Sequence, residues 1–496
     1  MTTTSPEPRS RWLNNFVYIL AAVGCAAGLG NLWRFPMLAY EHGGAAFIIA
    51  LVLCNIFIVF PLIMMETLIG QKHQLSAPQA FEKLKRGTSW IQWIAVFSSL
   101  AILFYYMPIL AWGIKYLFLS FSGEFLTDPS NYFVKEIIHL SDGVTTRGAF
   151  QWSLFGALML GYLFVLHSLR KNTDSISSVV KITATAPFLL LVILLIRGVT
   201  LPGSTEGLKM FLIPAWSALG DIKLWQAAMG QAFLSASLAF GYFIIAGSHR
   251  PKGAEIPKSS LWILIGNFGV SLLAGIAVFA TLGFMASQQG VPVSEVSQGG
   301  PMLVFSVLPT AVSLMPFGAV FFAILLFLIV ITLGIDSVFG FMEIVVGGFY
   351  DLKKKGKTYM STLIKIMIVA ILGSIPFLFS GGLYYLDITD HFVGGYCLML
   401  VGMLETALIA YYLKPNEFRL EINKTSSWKI PKLFNIILMI IPIILGTLII
   451  ATLIVEMKEL YGGYPLSYVI GFGVMPVALI IMFALGFGIW TKDKKF

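Results

Sequence analysis

Charged side chains are scarce in this chain of 496 residues. Asp, Glu, Lys and Arg together make up 11% of it, whereas hydrophobic residues make up 57%. These charges are too few for the surface of a water-soluble protein of this size, or for a disordered chain. The composition is that of a polytopic membrane protein. The net charge of +9 does not indicate nucleic-acid binding, because the distribution of Lys and Arg along the chain fits membrane topology instead.

Cysteine and histidine are also rare, at three and six residues. Cys25, Cys54 and Cys397 all fall inside apolar runs, which excludes an extracellular disulfide framework. The histidines have no metal-ligand spacing with the cysteines, and neither a glycine-rich phosphate loop nor a catalytic constellation occurs. We therefore expect neither an enzyme nor an ATP-driven pump.

Apolar runs of roughly 20 residues are abundant, and each can cross the ~30 Å hydrocarbon core of a bilayer. They predict an all-α integral membrane protein with about twelve transmembrane helices, here called spans 1 to 12. Their bounds are 14–38, 45–70, 92–121, 149–169, 178–198, 224–247, 259–286, 314–349, 359–380, 391–413, 433–457 and 465–490. Most of the 33 Lys and Arg residues lie in the two tails and in alternate loops. This bias predicts that both termini are cytoplasmic. The absence of an extracellular disulfide framework favours a prokaryotic plasma (inner) membrane.

Spans 1 and 6 have unusual centres. Span 1 contains three glycines and an asparagine within 24–31, and span 6 contains the small and hydroxyl residues SASLAFG at 235–241. Both segments predict helices that break inside the membrane, which is tolerated only beside protein or a water-filled cavity. Paired broken helices indicate a transporter's binding site, and their spacing of five predicts two inverted repeats. The predicted units are a cytoplasmic tail at 1–13, repeats at 14–198 and 224–413, spans 11 and 12 at 433–490, and a cytoplasmic tail at 491–496.

The connection 287–313 contains glycine, proline and a short apolar run but almost no charge. It predicts a re-entrant hairpin that helps to close an outer vestibule. An ordinary loop is the alternative.

Four segments resemble those of the neurotransmitter:sodium symporter family. They are GLGNLWRFP at 28–36, YY at 105–106, FG at 240–241 and ITLGIDS at 331–337. The resemblance extends from about Arg9 to span 10, and the first segment is the most specific. It implies the LeuT-type fold, a 5+5 inverted repeat with helices 1 and 6 broken. It also implies sodium-driven uptake of an amino acid or related amine by a prokaryotic transporter.

Polar residues at midplane depth indicate an ion pathway, since they are costly to bury in hydrocarbon. The resemblance implies one sodium site formed by Ala26, Asn31, Ser235 and Asn267, which the substrate carboxylate often completes. It implies a second sodium site formed by Gly24, Ala27, Leu333, Asp336 and Ser337. The alternatives are interhelical hydrogen bonds for the two asparagines and a structural ion pair for Asp336.

Gly28 indicates the class of substrate. Monoamine transporters of the family carry an aspartate there, whereas a glycine leaves room for an amino-acid carboxylate. The broken helix end and the Tyr106 hydroxyl would bind that carboxylate. The resemblance implies a substrate site formed by Ala26, Gly28, Leu29, Gly30, Ile102, Tyr106, Leu234, Ser237, Phe240, Ser337 and Phe341. Without a charged wall, this site favours a neutral, small-to-medium aliphatic amino acid, although plain helix packing is an alternative for each apolar residue.

Two further features of the family are matched in part. Gln231, Ser235, Asn267 and Ser271 match its chloride ligands, but Leu51 replaces the tyrosine that usually completes the site, so chloride dependence is left open. Two charge pairs match its gates, and they are Arg34 with Asp390 on the outer side and Arg9 with Asp351 on the inner side. His249 replaces a tyrosine that commonly braces the inner gate.

The sequence thus predicts a sodium-coupled symporter that imports a neutral amino acid by alternating access. Its expected partners are that small molecule, Na+ at two sites and the lipid bilayer, with chloride and the oligomeric state left open. One alternative is a proton-coupled or exchange-type transporter with Glu66 or Asp336 as the proton carrier, although Glu66 and Glu405 more readily cap the backbone of the broken helices. A second alternative is an amino-acid sensor or ligand-gated channel.

Overall fold

The computed structural model describes residues 10–170, 173–297, 299–352, 358–492 and 494. These residues are almost entirely helices joined by short turns. The only pairing of extended backbone within them is an isolated bridge between Phe150 and Phe379. The predicted all-α class is therefore confirmed.

Ten of the described helices are long and apolar enough to cross a membrane, and they correspond to spans 2 to 5 and 7 to 12. Their bounds are Ala45–His73, Ser89–Ser122, Trp152–Leu169, Ser175–Val199, Pro257–Gln289, Ala319–Tyr350, Tyr359–Leu378, Gly382–Tyr412, Leu433–Gly463 and Leu466–Lys492. Each of the remaining two spans is formed by a pair of shorter helices. The prediction of about twelve spans is confirmed.

Spans 1 and 6 are the two broken spans. Span 1 consists of Asn15–Ala26 and Leu29–Glu41, whose axes differ by 57°. Span 6 consists of Ile222–Ser235 and Tyr242–Ser248, separated by residues 236–241. Both breaks lie where the glycine, serine and asparagine content predicts them.

Two other spans differ from the sequence prediction. Span 5 contains helices Thr173–Thr183 and Ala186–Val199 with a turn between them, although the sequence reads as one apolar run. Pro187 favours this turn because it cannot donate the backbone hydrogen bond that would continue the helix. Span 10 begins at Gly382, about two and a half turns before the predicted start at residue 391, so Asp390 lies inside the helix.

The connection between spans 7 and 8 is folded rather than an ordinary loop. It contains the short helix Val293–Val296 and the apolar helix Leu303–Ser313. The Tyr116 hydroxyl of span 3 donates to the Phe305 carbonyl at 2.8 Å, and the Ser306 hydroxyl donates to the Ser130 carbonyl at 2.7 Å. These bonds fix the connection against span 3 and the segment that follows it.

The bundle has two opposite faces. The terminal face, where span 1 begins and span 12 ends, includes Trp12, Asp351 and Lys492. The distal face carries the connections 42–44, 123–151 and 290–318. Spans 3 and 8 run side by side through the core between these faces, with ring contacts such as Tyr116 stacked on Phe327 at 4.5 Å. The two breaks lie beside this pair.

Candidate substrate and sodium site

The break in span 1 presents backbone groups to the centre of the bundle. The first helix ends at Ala26, and Gly28 is the extended residue that precedes the second helix, with φ −91° and ψ −170°. The first amides of a helix have no intrahelical acceptor, and the helix dipole makes them favourable for an anion. Of these amides, Leu29 N–H donates to the Tyr106 hydroxyl at 3.4 Å. This helix end can therefore bind a carboxylate together with Tyr106.

The break in span 6 holds strained backbone. Ser237 and Ala239 have positive φ angles of 52° and 63°, which cost about 1–3 kcal/mol each for residues other than glycine. Such strain persists only where surrounding contacts enforce it. Here the Ala239 amide donates to Glu66 Oε1 at 3.0 Å, and the Ser237 hydroxyl donates to the Cys25 carbonyl at 3.2 Å. The unwound segment is thus held by contacts to spans 2 and 1.

The contact with Glu66 fits the capping interpretation for Glu66, whereas Glu405 bonds to a side chain instead. Both Glu66 and Glu405 are fully buried. Glu66 accepts from the unwound backbone of span 6, and Glu405 Oε2 accepts from the Gln92 side chain at 2.8 Å.

A single carbonyl joins three of the elements around the site. The Cys25 oxygen accepts from the Ser237 hydroxyl of span 6 and from the Ser337 hydroxyl of span 8, at 3.2 and 3.1 Å. Cys25 itself is buried, and its thiol lies 3.9 Å from the Ser237 hydroxyl. The broken ends of spans 1 and 6 are therefore held together against span 8.

A cavity of about 460 Å³ extends from these breaks towards the distal face. Every residue that the sequence predicts for substrate contact lines it: Ala26, Gly28, Leu29, Gly30, Ile102, Tyr106, Leu234, Ser237, Phe240, Ser337 and Phe341. Phe341 packs edge-on against Tyr106 at 5.8 Å and lies 5.2 Å from Phe240, measured between ring centroids. The inner end of the cavity thus combines polar groups of the helix break with a cluster of aromatic rings.

The residues predicted for the first sodium site form a region of amides and hydroxyls, which we call the neutral region: Ala26, Asn31, Ser235 and Asn267. Asn31 Nδ2 donates to Asn267 Oδ1 at 2.8 Å, and Asn267 Nδ2 donates to the Ser235 hydroxyl at 2.8 Å. The Ala26 carbonyl accepts from Gly28 N–H at 2.9 Å. Asn31 Oδ1 is buried and has no hydrogen-bond partner among the described residues. A hard cation prefers such oxygen ligands, so the residues present fit sodium.

We call the residues predicted for the second sodium site the charged region: Gly24, Ala27, Leu333, Asp336 and Ser337. Asp336 is 3% exposed, and its Oδ1 accepts from the Thr183 hydroxyl at 2.5 Å. Its Oδ2 has no partner in the described part of the chain, where Asp336 also makes no ion pair. A Cβ atom added at Gly24 would lie 2.4 Å from this Oδ2, so the glycine keeps the oxygen uncovered. A buried carboxylate requires a compensating partner, and a cation at Oδ2 fits.

Thr183 is a residue of this region that the sequence analysis missed. It lies in span 5, at the turn before Pro187, and is buried. The sequence did contain a signal for Thr183, namely a hydroxyl residue within an apolar span. Polar residues inside membrane spans indicate functional sites, which is the rule that identifies Asp336. That signal alone does not identify the partner, because the two residues are 153 positions apart.

The residues predicted for chloride binding overlap the neutral region, since Ser235 and Asn267 belong to both. Gln231 lies one turn before Ser235 in span 6, and its buried Oε1 has no partner among the described residues. The Ser271 hydroxyl donates to the Asn267 carbonyl at 3.2 Å, one turn away in the same helix. Leu51, which replaces the expected tyrosine, is buried. The Asn267 amide and the Ser271 hydroxyl thus already donate to protein acceptors.

The predicted outer gate residues are near each other but not paired. Arg34 and Asp390 both line the cavity, yet no ion pair joins them in the described structure. Asp390 Oδ1 instead accepts from the Tyr105 hydroxyl at 2.7 Å. The cavity lining continues past them to His391 and Tyr461. This arrangement leaves the cavity open towards the distal face.

The terminal face is closed by packing of the N-terminal segment. Trp12 Nε1 donates to the Ala246 carbonyl at 2.9 Å, and His249 Nδ1 donates to the Ser10 carbonyl at 2.7 Å. Arg9, the predicted partner of Asp351, lies outside the described residues. Asp351 Oδ2 accepts from the Ser76 amide and hydroxyl, both at 2.7 Å. His249 thus contacts the N-terminal segment at the position where the family commonly has tyrosine.

A helical membrane protein with paired broken spans around a central cavity belongs to the class of secondary transporters. Comparison with known proteins gives the family. The model of the sodium:neurotransmitter symporter family matches residues 9–128 and 124–492. This chain belongs to the sodium:neurotransmitter symporter family.

Similar proteins described as transporters support the same family assignment. An uncharacterized sodium-dependent transporter of Methanocaldococcus jannaschii is 33% identical over 95% of this chain and 96% of its own length. The human sodium- and chloride-dependent GABA transporter 2 is 31% identical over 83% of this chain and 74% of its own length. The bovine sodium- and chloride-dependent taurine transporter is 30% identical over 83% of this chain and 73% of its own. All three are transporters by description, which agrees with the expectation that this protein is not an enzyme.

Proposed function

We propose that this protein is a sodium-coupled symporter that imports a neutral, small-to-medium aliphatic amino acid from the distal side. The observation that carries this proposal is the Asp336 carboxylate. It lies inside span 8 beside the break in span 1, with one oxygen bonded to Thr183 and the other without a partner among the described residues. A sodium ion at that oxygen would supply the charge that the surrounding apolar helices lack.

A second sodium ion would bind in the neutral region. Asn31 Oδ1 and the Ser235 and Asn267 side chains provide oxygens there but no formal negative charge. A substrate carboxylate bound at the helix end would supply this negative charge. It would lie close to the ion, because Leu29 and Gly30 of the helix end directly precede Asn31. Sodium and substrate would then stabilise each other, which is the physical basis of coupled transport.

The shape of the inner cavity supports a small neutral substrate. Its polar side, at Leu29, Gly30 and the Tyr106 hydroxyl, suits a carboxylate. Phe240, Phe341 and Ile102 line the rest with apolar surface. GABA and taurine, for which two of the relatives are named, are likewise small and neutral overall. They therefore belong beside the aliphatic α-amino acids among the candidate substrates.

The two faces of the bundle support alternating access. The cavity is open past Arg34 and Asp390, while Trp12 and His249 close the terminal face. In a later state of the transport cycle, the distal side would close and the terminal face would open. We take the terminal face as cytoplasmic, as the Lys and Arg distribution predicts.

Uptake into proteoliposomes tests the proposal. Radiolabelled glycine, alanine, leucine, GABA and taurine would be offered under an inward sodium gradient, or with potassium replacing sodium. We expect concentrative uptake of at least one compound with sodium only, and loss of that uptake in Asp336→Ala. Uptake driven equally well without sodium would contradict the proposal, as would binding without any transport.

The same assay tests whether an anion is a co-substrate. Gluconate would replace chloride on both sides while the sodium gradient is maintained. If Gln231, Ser235, Asn267 and Ser271 bind chloride, the replacement lowers uptake. Ser271→Ala would then weaken the chloride dependence without removing the sodium dependence. Equal uptake in gluconate would rule out a chloride requirement.

A further inference from the structure

Span 5 is interrupted where it meets the charged region. Its first helix ends at Thr183 and its second begins at Ala186. The contact with span 1 is close here, since a Cβ atom at Gly24 would lie 3.0 Å from the Ala184 side chain. The interruption therefore brings residues of span 5 directly against both Gly24 and Asp336.

The Thr183 hydroxyl has two acceptors within reach and a single hydrogen to donate. Asp336 Oδ1 is at 2.5 Å, whereas the Val179 carbonyl of the preceding turn is at 3.2 Å. The shorter distance and the charge of the carboxylate favour the bond to Asp336. Thr183 is 7% exposed and Asp336 is 3% exposed, so little water is available to replace this bond.

This bond determines which carboxylate oxygen is available to a cation. With Oδ1 bonded to span 5, Oδ2 faces Gly24, where the missing side chain leaves space. Without the hydroxyl, the carboxylate could rotate, and a cation would have to order it on binding. Fixing a ligand in its binding orientation beforehand raises affinity, because that ordering cost is avoided.

We propose that Thr183 is a positioning residue that sets the sodium affinity of the charged region by holding Asp336 Oδ1. This inference rests on the proposed function, in which Asp336 binds sodium. Thr183 would act through the carboxylate and need not contact the ion itself. It would also make the turn in span 5 part of the sodium site.

The test compares substitutions that keep or remove the hydroxyl. Thr183→Val keeps the branched shape, Thr183→Ala removes the hydroxyl with less bulk, and Thr183→Ser retains it. Thr281→Val is the matched control, because Thr281 is a buried threonine of span 7 whose hydroxyl donates, among the described residues, to the Ala277 carbonyl of its own helix. Two hydroxyl-free variants are included so that a folding defect in one does not remove the test.

The readout is the rise in melting temperature of the detergent-solubilised full chain as sodium replaces choline at constant ionic strength, without substrate. Ligand binding to the native state produces such a rise. We expect the half-saturating sodium concentration to increase about tenfold in Thr183→Val and Thr183→Ala, as for loss of a hydrogen bond to a charged group. Thr183→Ser and Thr281→Val should resemble the unmodified protein. In transport, the two hydroxyl-free variants should raise the KM for sodium and leave kcat at saturating sodium unchanged.

The outcomes separate this inference from the proposed function. If the unmodified protein responds to sodium and both hydroxyl-free variants give the same titration curve, the role of Thr183 is refuted and the symporter proposal stands. A loss in Thr183→Ser as large as that in Thr183→Val would also refute it, since the hydroxyl would not be the cause. If the unmodified protein has no sodium response, both proposals fail.

Discussion

The charged and neutral regions differ in one respect that organises the site. The charged region contains the Asp336 carboxylate, whereas the neutral region, built around Asn31 and Asn267, contains only amides, hydroxyls and a carbonyl. A cation entering the first is neutralised by the protein. A cation entering the second remains an uncompensated charge in an apolar surrounding, unless another ligand brings the negative charge. The difference indicates that only the neutral region should depend on substrate for sodium binding.

Both regions nevertheless depend on span 1. Gly24 and Ala27 belong to the charged region, while Ala26 and Asn31 belong to the neutral one. Between them, the Cys25 carbonyl is bonded to Ser237 and Ser337. Movement of the broken segment would therefore change both regions together, and the substitutions below are chosen to change one at a time.

Asp336→Asn should have the largest effect. The amide can still accept from Thr183, so the packing is retained while the negative charge is lost. We expect sodium affinity in the absence of substrate to fall by at least about a hundredfold, as when one partner of a buried ion pair is removed. The measurement is the sodium-dependent shift in melting temperature against choline. A normal sodium response in this variant would mean that the charged region does not bind the ion.

Gly24→Ala should disrupt the charged region without changing its charge. The added Cβ would lie 2.4 Å from Asp336 Oδ2 and 3.0 Å from the Ala184 side chain. The methyl group would occupy the space beside Oδ2 that the cation needs, so the overpacking acts on the sodium-bound state. A cost of about 2 kcal/mol to that state makes sodium affinity without substrate about thirtyfold weaker. Gly269→Ala in span 7 is the control, because a Cβ atom added at Gly269 meets no other atom within 4 Å. If the two variants titrate alike, Oδ2 is not the oxygen that binds sodium.

These two substitutions also illustrate what a sequence can and cannot reveal. The breaks in spans 1 and 6 are predictable, because glycine, serine and asparagine replace the usual aliphatic residues at 24–31 and 235–241. The closeness of Gly24 to Asp336 Oδ2 is not predictable from the sequence, since it depends on how spans 1, 5 and 8 pack against each other. The Thr183 bond joins residues 153 positions apart and is unpredictable for the same reason.

Span 10 gives a second example, in which local composition was misleading. Tyr384, Tyr385 and Asp387 reduce the apolar character before residue 391, so the predicted span begins late, whereas the helix begins at Gly382. Asp390 consequently lies inside the helix and accepts from Tyr105. The sequence suggests Arg34 as the partner of Asp390, because the two charges are opposite and match the gate positions of the family. It cannot indicate that the Tyr105 hydroxyl of span 3 donates a hydrogen bond to the Asp390 carboxylate.

Asn31→Ala should weaken the neutral region and leave the charged one intact. It removes the unpartnered Oδ1 and the donor to Asn267. With saturating substrate we expect sodium affinity to fall about tenfold, the value of a hydrogen-bonding ligand to a charged group. Without substrate the sodium titration should be nearly unchanged, because the charged region then accounts for binding. An equal loss with and without substrate would contradict the distinction between the two regions.

Gly28→Ala should have the smallest effect and should act mainly on substrate binding. Its Cβ would lie 2.8 Å from the Ser337 hydroxyl and 3.3 Å from the Tyr106 hydroxyl, at the place where the carboxylate is proposed to bind. The Ser337 hydroxyl must move to accept the methyl group, which then occupies part of the proposed carboxylate site. A cost of about 1 kcal/mol to carboxylate binding lowers substrate affinity about fivefold. Equilibrium binding of the labelled substrate at saturating sodium measures this fall, with Gly269→Ala again as the control. Sodium affinity without substrate should fall less than substrate affinity, because Gly28 belongs to neither sodium region and its Cβ meets the charged region only at the Ser337 hydroxyl. If sodium affinity without substrate falls as much as substrate affinity does, span 1 responds to the substitution as one rigid unit. The two sodium regions could then not be altered independently of each other through span 1.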